Sequence, residues 1–461
     1  MDDEPAQGCA ECARLRDVIK RLEARITELE SRLDQNSSNS HKPPSSNLPW
    51  LLAKKKPTGG KPGGQKGHQG HHRTLLPPER VDQYVHYVPS HCKHCGQALA
   101  AEAGANDPAS HRHQVAELPP ITVIVTEHQG HARTCPACGR RTRQPIPAPV
   151  LAHVAGPRLS ATLSYLTGRC HDGRRTVVEI ARDLFGMSLS LGTVVQYESQ
   201  MSDALTGAAA EALSAMREAT IKNVDETGWK QAAKNCWLWT AATPSVAVFA
   251  LQPDRNTRAL HRLIGKRGGR GVICSDRCSV YAKLGIKRRQ LCWAHLDREF
   301  RKWAEFSSQT KILGNDGLGI CRGVFGLWRD FRQRKLSWPQ LRSQLKPWCK
   351  RLTEVLTWGQ RCGHKKAANF CRRLLQVQKA FWTFARIEGV EPTNNHAERM
   401  LRPAVLWRKN SFGCHSPGGC RFVERLLTVI QTRRLQGKNV LQFLCQTLQA
   451  HRQNQPLPAL V

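Results

Sequence analysis

No stretch of the 461-residue chain approaches the ~18–20 consecutive apolar residues that a membrane-spanning helix needs. A phosphate-loop signature is missing too. The Gly-Lys pairs at Gly60, Gly265 and Gly437 run on into Pro62, Arg267 and Asn439 rather than Ser or Thr, which excludes a P-loop ATPase. All five tyrosines lie at or before Tyr281, so a tyrosine recombinase, which needs a late nucleophilic Tyr, has no candidate. Acid is scarce: 36 Asp+Glu face 70 Lys+Arg, a net charge of +34. Self-repulsion on that scale is kept for a polyanionic partner, with nucleic acid the first candidate and an anionic membrane surface a weak second. The start, Met1-Asp2-Asp3-Glu4, is acidic where a secretion signal is basic and then apolar, so a cytoplasmic protein is expected. In that compartment the 18 cysteines read as metal ligands or small buried residues, not as a disulfide scaffold.

What is present comes in blocks. Residues 1–35 carry Leu15, Ile19, Leu22, Ile26, Leu29 and Leu33, an a/d heptad seam with Ile at a and Leu at d. That combination favours a parallel homodimer, with Glu11 meeting Arg16 and Arg25 meeting Glu30 across the seam. The plainer reading is an amphipathic helix packed on its own domain. Cys9 and Cys12 belong to this helix rather than to a metal site. Residues 36–80 form a flexible basic Gly/Pro/Ser linker, with Lys54, Lys55, Lys56, Lys61 and Lys66 able to meet DNA phosphates or merely to keep the linker solvated. Residues 81–150 hold Cys92-x-x-Cys95-Gly96 and Cys135-x-x-Cys138-Gly139. Four thiolates on two tight turns suit structural tetrahedral Zn2+, with no open position for catalysis.

Residues 151–215 read as helices, and 177–194 has the rhythm of a helix-turn-helix with Gly186 at the turn. Two packed helices without DNA fit as well. From 216 to 296 the order is three strands, a helix and a strand, which is mixed α/β. The strand from Thr220 ends in Asp225 and the strand from Gly271 ends in Asp276. Residues 297–392 are helical, with six tryptophans that mostly suit a core, although aromatics among cations also suit a strand-binding surface. Residues 393–461 return helices, the first opening with Asn394-Asn395-His396-Ala397-Glu398.

Two strand-end aspartates and a helical glutamate match what two Mg2+ (or Mn2+) ions need for phosphoryl transfer, because hard cations take oxygen ligands. Helix caps or Arg pairs are the bland alternative. Among nearby acids, Glu388 and Glu391 fall in a loop, and Glu424 has Arg421 and Arg425 beside it for pairing. Glu398 follows a capping Asn-Asn start and has Arg399 and Arg402 placed to meet DNA.

The ordered set of these motifs resembles a DDE transposase of the insertion-sequence-66 (transposase C) family over nearly the whole chain. It comprises the zipper, the tether, Gly63-Gly64-Gln65-Lys66-Gly67-His68, the paired C-x-x-C, Asp225-Glu226-Thr227-Gly228-Trp229, Cys292-Trp293-Ala294-His295, Asn394 to Arg399, and Arg408-Lys409-Asn410-Ser411-Phe412-Gly413. The resemblance implies a ribonuclease H-like catalytic domain carrying Asp225, Asp276 and Glu398, interrupted by the helical insertion. It implies Mg2+-dependent cleavage and strand transfer at the element's own ends, in a bacterial cytosol at the nucleoid. Its partners would be double-stranded DNA at the ends and target, a second copy of the chain, and accessory proteins of the element. Cys292 and His295 resemble a C-x-x-H found after the second Asp in several transposase groups; support of the site, DNA contact and packing are all open. One difference stands out: the family usually has Gly-Tyr after the second carboxylate, and here Arg277-Cys278 follows Asp276. The rival of another class is a DNA-binding regulator that uses the zinc module and the helix-turn-helix and keeps the α/β domain as scaffold.

Overall fold

Short apolar runs set the buried strands of this chain, and 3.6-residue periodicity sets its helices. In the computed structural model, residues 10–33, 74–102, 104, 111–266, 269–306 and 308–461 are described. Lys54, Lys55, Lys56, Lys61 and Lys66, the expected linker up to residue 73, Cys9, and the side chains of Glu11, Cys12 and Arg16 lie outside the described set. The chain divides into two compact units, Lys54–Val123 and the remainder. No helix among the described residues is long and apolar enough to cross a membrane.

Helix α1 spans Ala10–Leu33, and its Leu15, Ile19, Leu22, Ile26, Leu29 and Leu33 are all exposed. A short hairpin, β1 (Ala132–Thr134) with β2 (Arg141–Arg143), precedes α2 (Ala148–Leu151) and α3 (Pro157–Tyr165). Then come α4 (Arg174–Phe185), α5 (Leu191–Ala204) and α6 (Thr206–Glu218). Gly186 ends α4 with a positive φ, and Ser190 caps α5 by accepting from Thr193 N at 3.1 Å, where the sequence rhythm puts the turn.

The central element is a mixed five-stranded sheet. Its strands are β3 (Ile221–Gln231), β4 (Lys234–Ala242), β5 (Ala247–Gln252), β6 (Val272–Ser275) and β7 (Arg289–Leu291), in the order β5-β4-β3-β6-β7. The first three are antiparallel; β3–β6 and β6–β7 are parallel. Helix α7 (Thr257–Ile264) crosses between β5 and β6. Gly271 sets the β6 register. Its φ is +83°, and a Cβ there would lie 1.9 Å from Thr220 O, so only glycine lets Val272 N donate to that same oxygen at 2.7 Å.

Helices α8 (Trp293–Phe306), α9 (Ser308–Arg332), α10 (Trp338–Gly359) and α11 (Lys365–Val377) follow β7 and share a second core with β6 and β7. Trp303 and Trp382 are buried in it and Trp358 is half exposed, so most of the six tryptophans do serve the core. The chain then returns to the sheet through α12 (Asn395–Ser411), α13 (Pro417–Leu435) and α14 (Val440–Arg452).

Helix α13 closes the β5 edge, which would otherwise offer unpaired N–H groups. Thr432 Oγ1 accepts from Ala247 N at 3.1 Å, Thr428 Oγ1 from Phe249 N at 3.0 Å, and Glu424 Oε1 from Leu251 N. Spacing of four on the helix matches spacing of two on the strand. Glu424 therefore does not pair with Arg421 or Arg425 as its neighbours suggested: it is stitched to the sheet, and burial pushes its carboxyl up to about 7. Arg425 turns instead to Ser202 O at 2.9 Å.

Candidate active site

Asp225 is not at a strand end. The expected strand stops there, but β3 continues to Gln231 because β4 pairs with it throughout, setting Asp225 opposite Thr240. Only the parallel ladder is short, covering Ile221 to Asn223. Asp225 thus lies just beyond the last parallel pair, on the side where β6 ends at Ser275 and Asp276 opens the next turn. Asp276 Oδ1 accepts from Cys278 N at 2.9 Å and so closes that turn.

Glu398 reaches the same place from the first turn of α12, and Asn394 puts it there. This asparagine is fully buried. Its amide donates to Val224 O at 2.8 Å, and its backbone N donates to Cys292 Sγ at 3.2 Å. The Asn-Asn start therefore does not cap its own helix through a side chain; Asn394 spends its amide on the residue before Asp225. Losing one such buried bond costs roughly 1–3 kcal/mol.

Burial pushes the Asp225 carboxyl well above the usual range, with the charges of Glu226, Asp276 and Glu398 adding to it against one opposing hydrogen bond from Glu226 N at 3.0 Å. The three acids picked out from sequence are therefore close enough to feel one another. Glu226 is committed elsewhere, accepting from Arg255 Nε at 2.8 Å, Arg255 Nη2 at 2.6 Å and the Tyr281 hydroxyl. Glu398 Oε1 is buried with no hydrogen-bond partner among the described residues. Crowded, desolvated carboxylate oxygens with an orphaned acceptor are what Mg2+ or Mn2+ would satisfy.

His295 Nδ1 lies 3.6 Å from Glu398 Oε1. Burial and the nearby Arg298 push this imidazole down to about 4, so at neutral pH it is uncharged and does not quench Glu398. Cys292, His295 and Glu398 place ligand atoms within 4.8 Å of one another. Burial pushes the Cys292 thiol up to about 11, and a protonated thiol is a poor ligand for a hard cation. Its sulfur accepts from Asn394 instead, so Cys292 supports the site by tying the start of α8 to that of α12.

Arg277 feels the charge of Asp276, but its close partners lie elsewhere. It reaches Glu299 at 3.3 Å and lies over the Phe370 ring, 5.3 Å from its centroid. The competing acids are placed elsewhere: Glu391 pairs with Arg332 at 2.8 Å, and Glu388 is exposed. Arg399 and Arg402 are exposed on α12. Sequence reasoning missed the bracing by Asn394 and the Glu226–Arg255–Tyr281 group, since both depend on contacts distant in the chain.

Each cysteine pair forms a knuckle of its own. In one, Cys92 N donates to Gln97 O at 2.8 Å and Gly96 N to Cys92 O at 3.0 Å. In the other, Cys135 N donates to Arg140 O at 2.8 Å and Gly139 N to Cys135 O at 2.9 Å, between β1 and β2. Backbone N–H groups of Cys95 and His94 lower the Cys92 thiol, and those of Cys138 and Ala137 lower Cys135. Turns that favour thiolate are prepared for a soft cation.

Comparison with known proteins follows the same layout. The transposase IS66 family matches residues 153–421, and the zinc-finger binding domain of transposase IS66 matches residues 89–139. A family of unknown function matches residues 4–74. An uncharacterized protein, y4qI, of Sinorhizobium fredii (strain NBRC 101917 / NGR234) is 24% identical over 302 residues, which is 57% of this chain and 53% of that protein. The match thus spans about half the relative's length.

The zinc-finger match contains all four of Cys92, Cys95, Cys135 and Cys138 and supports Zn2+ as the metal of this segment. A zinc-finger domain with one tetrahedral metal should give about one zinc per chain by elemental analysis. Cys135→Ser should lose that metal and the folding of the segment. Unchanged zinc content in Cys135→Ser would remove it from the ligand set.

Proposed function

The chain belongs to the IS66 transposase family, and from that premise we propose that it binds the ends of its own element and cuts and joins DNA there. In this reading the sheet is ribonuclease H-like. Three antiparallel strands followed by two parallel ones, with α12 returning an acid to the central strand, support it. Asp225, Asp276 and Glu398 are the proposed ligands of two Mg2+ or Mn2+ ions. The single observation that carries the proposal is a buried Asp225 that feels the charges of Asp276 and Glu398, acids from distant parts of the chain, with Glu398 Oε1 unpartnered among the described residues.

When bound, the two cations would polarise the scissile phosphate and make water or a 3′-hydroxyl a competent nucleophile. The chain's own residues do the positioning. Asn394 and Cys292 fix the start of α12, so Glu398 enters the site from a rigid helix end. Glu226 stays bound to Arg255 and Tyr281 on the opposite face of β3, which keeps it from competing with Asp225. Neutral His295 leaves the negative charge of Glu398 available. Exposed Arg399 and Arg402 follow on the same helix, where they meet the phosphates of the bound end. The zinc module and the α4–α5 pair contribute further DNA contact, and double-stranded DNA is the partner throughout.

A carboxylate ligand cannot become an amide without losing charge and coordination. Glu398→Gln should therefore drop Mg2+-dependent cleavage of end DNA by at least ~100-fold while DNA affinity stays within a few-fold. Glu391→Gln should cut normally. Cleavage by Glu398→Gln at near wild-type rate would leave the DNA-binding regulator as the better account.

The exposed apolar row on α1, from Leu15 to Leu33, supports assembly of two copies through this helix. A chain lacking residues 1–35 should sediment as a monomer at concentrations where the full chain is a dimer. A dimer of unchanged affinity would place the interface elsewhere.

A further inference from the structure

Phe412 is the residue the fold has least use for. It is 83% exposed, and its φ is +57°, in the left-handed region that a bulky side chain rarely adopts. Glycine or asparagine would end α12 more cheaply. The position is nevertheless held firmly. Phe412 N donates to Arg408 O at 2.8 Å, Cys414 N to Lys230 O at 2.9 Å, and Ala232 N to Cys414 O at 2.8 Å, which ties the segment to the β3–β4 hairpin. Gly413 permits that tie, because a Cβ on it would lie 2.3 Å from Lys230 O. A large aromatic is thus presented to solvent on a rigid mount, against local conformational preference.

The residues on either side of it, Ser411 and Gly413, line a cavity of about 800 Å3. Arg174 and Arg175, from the first turn of α4, line it as well, together with Leu191 and Val195 of α5. Both aliphatic side chains are exposed, at 43% and 42%. Arg174 is held by buried Glu198, with Nε at 2.9 Å and Nη2 at 2.7 Å from Oε2. Cations beside apolar surface and an exposed ring suit a phosphate joined to a flat heterocycle. A paired duplex offers phosphates but hides its base faces, so the matching ligand is an unpaired nucleotide.

We propose that an unpaired nucleotide of the DNA binds at the edge of this cleft, with its base stacked on Phe412 and its phosphate on Arg175. Phe412 itself does not line the cleft, and Glu198, which lines it together with Asp172, already neutralises Arg174. This inference rests on the DNA-binding part of the proposed function and uses none of the carboxylate chemistry.

The test is fluorescence anisotropy on the full chain without divalent metal, using labelled short oligothymidine and a duplex of the same length. Phe412→Ala should weaken single-strand binding about 5- to 100-fold, the range of one base–aromatic stack. Duplex affinity and the slope of log K against log salt should not change, because no charge is removed. Phe412→Trp should restore single-strand binding. Phe412→Gly, which suits the left-handed backbone, separates binding from folding. It should show the same loss of affinity with a Tm at or above wild type. Arg175→Ala should weaken both probes and reduce the salt slope by about one. Wild-type single-strand affinity in Phe412→Ala, or equal losses on single strand and duplex, would overturn the proposal. Either result leaves the carboxylate assignment standing, just as normal cutting by Glu398→Gln would sink that assignment and leave this cleft untouched.

Discussion

Like charges brought together out of water repel, and the α/β part of this protein is arranged around that constraint. Asp225, Asp276 and Glu398 come from the central strand, from the turn after the neighbouring parallel strand, and from a helix that returns after the long insertion. Burial and mutual repulsion push the Asp225 carboxyl well above its ordinary range. Such a group is destabilising unless something positive joins it, and among the described residues no arginine or lysine pairs with Asp225: Arg255 is bound to Glu226, and Arg277 to Glu299. The fold leaves the charge for a partner to neutralise.

What holds the acids in place is mostly neutral. The Asn394 amide on Val224 O and the Cys292 sulfur on Asn394 N join β3, α8 and α12 within one turn of the carboxylates. Gly271 sets the β6 register, and through it the height of Asp276 beside Asp225. The helical insertion packs an aromatic core onto β6 and β7, so its length between Asp276 and Glu398 does not loosen the site. It closes back on the sheet through buried contacts such as Phe384 N donating to Gln290 Oε1 of β7 at 2.7 Å.

Much of this plan was legible in the sequence. The strand leading to Asp276, the two turn-borne C-x-x-C pairs and the helix that starts at Asn395 are local patterns, and local patterns carry composition and spacing faithfully. The extent of β3 was not legible, because Glu226-Thr227-Gly228-Trp229-Lys230 lacks an apolar alternation and is held as strand by pairing with β4. Glu424 was misread for a similar reason: two flanking arginines suggest ion pairs, while the actual partner is a backbone N–H on β5. The direction of Arg277 followed from a helix far along the chain, and the cleft beside Phe412 needs α4, α5 and the end of α12 at once. Each miss is a tertiary contact overriding a neighbour.

The central claim is that the three carboxylates are a cation site. The direct measurement is anomalous scattering from crystals of the full chain with element-end DNA, grown with Mn2+. The account predicts two manganese peaks about 3.5–4 Å apart, ligated by Asp225, Asp276 and Glu398. It predicts no peak there in Asp225→Asn. Manganese bound elsewhere, with these three side chains paired to protein donors instead, would contradict it.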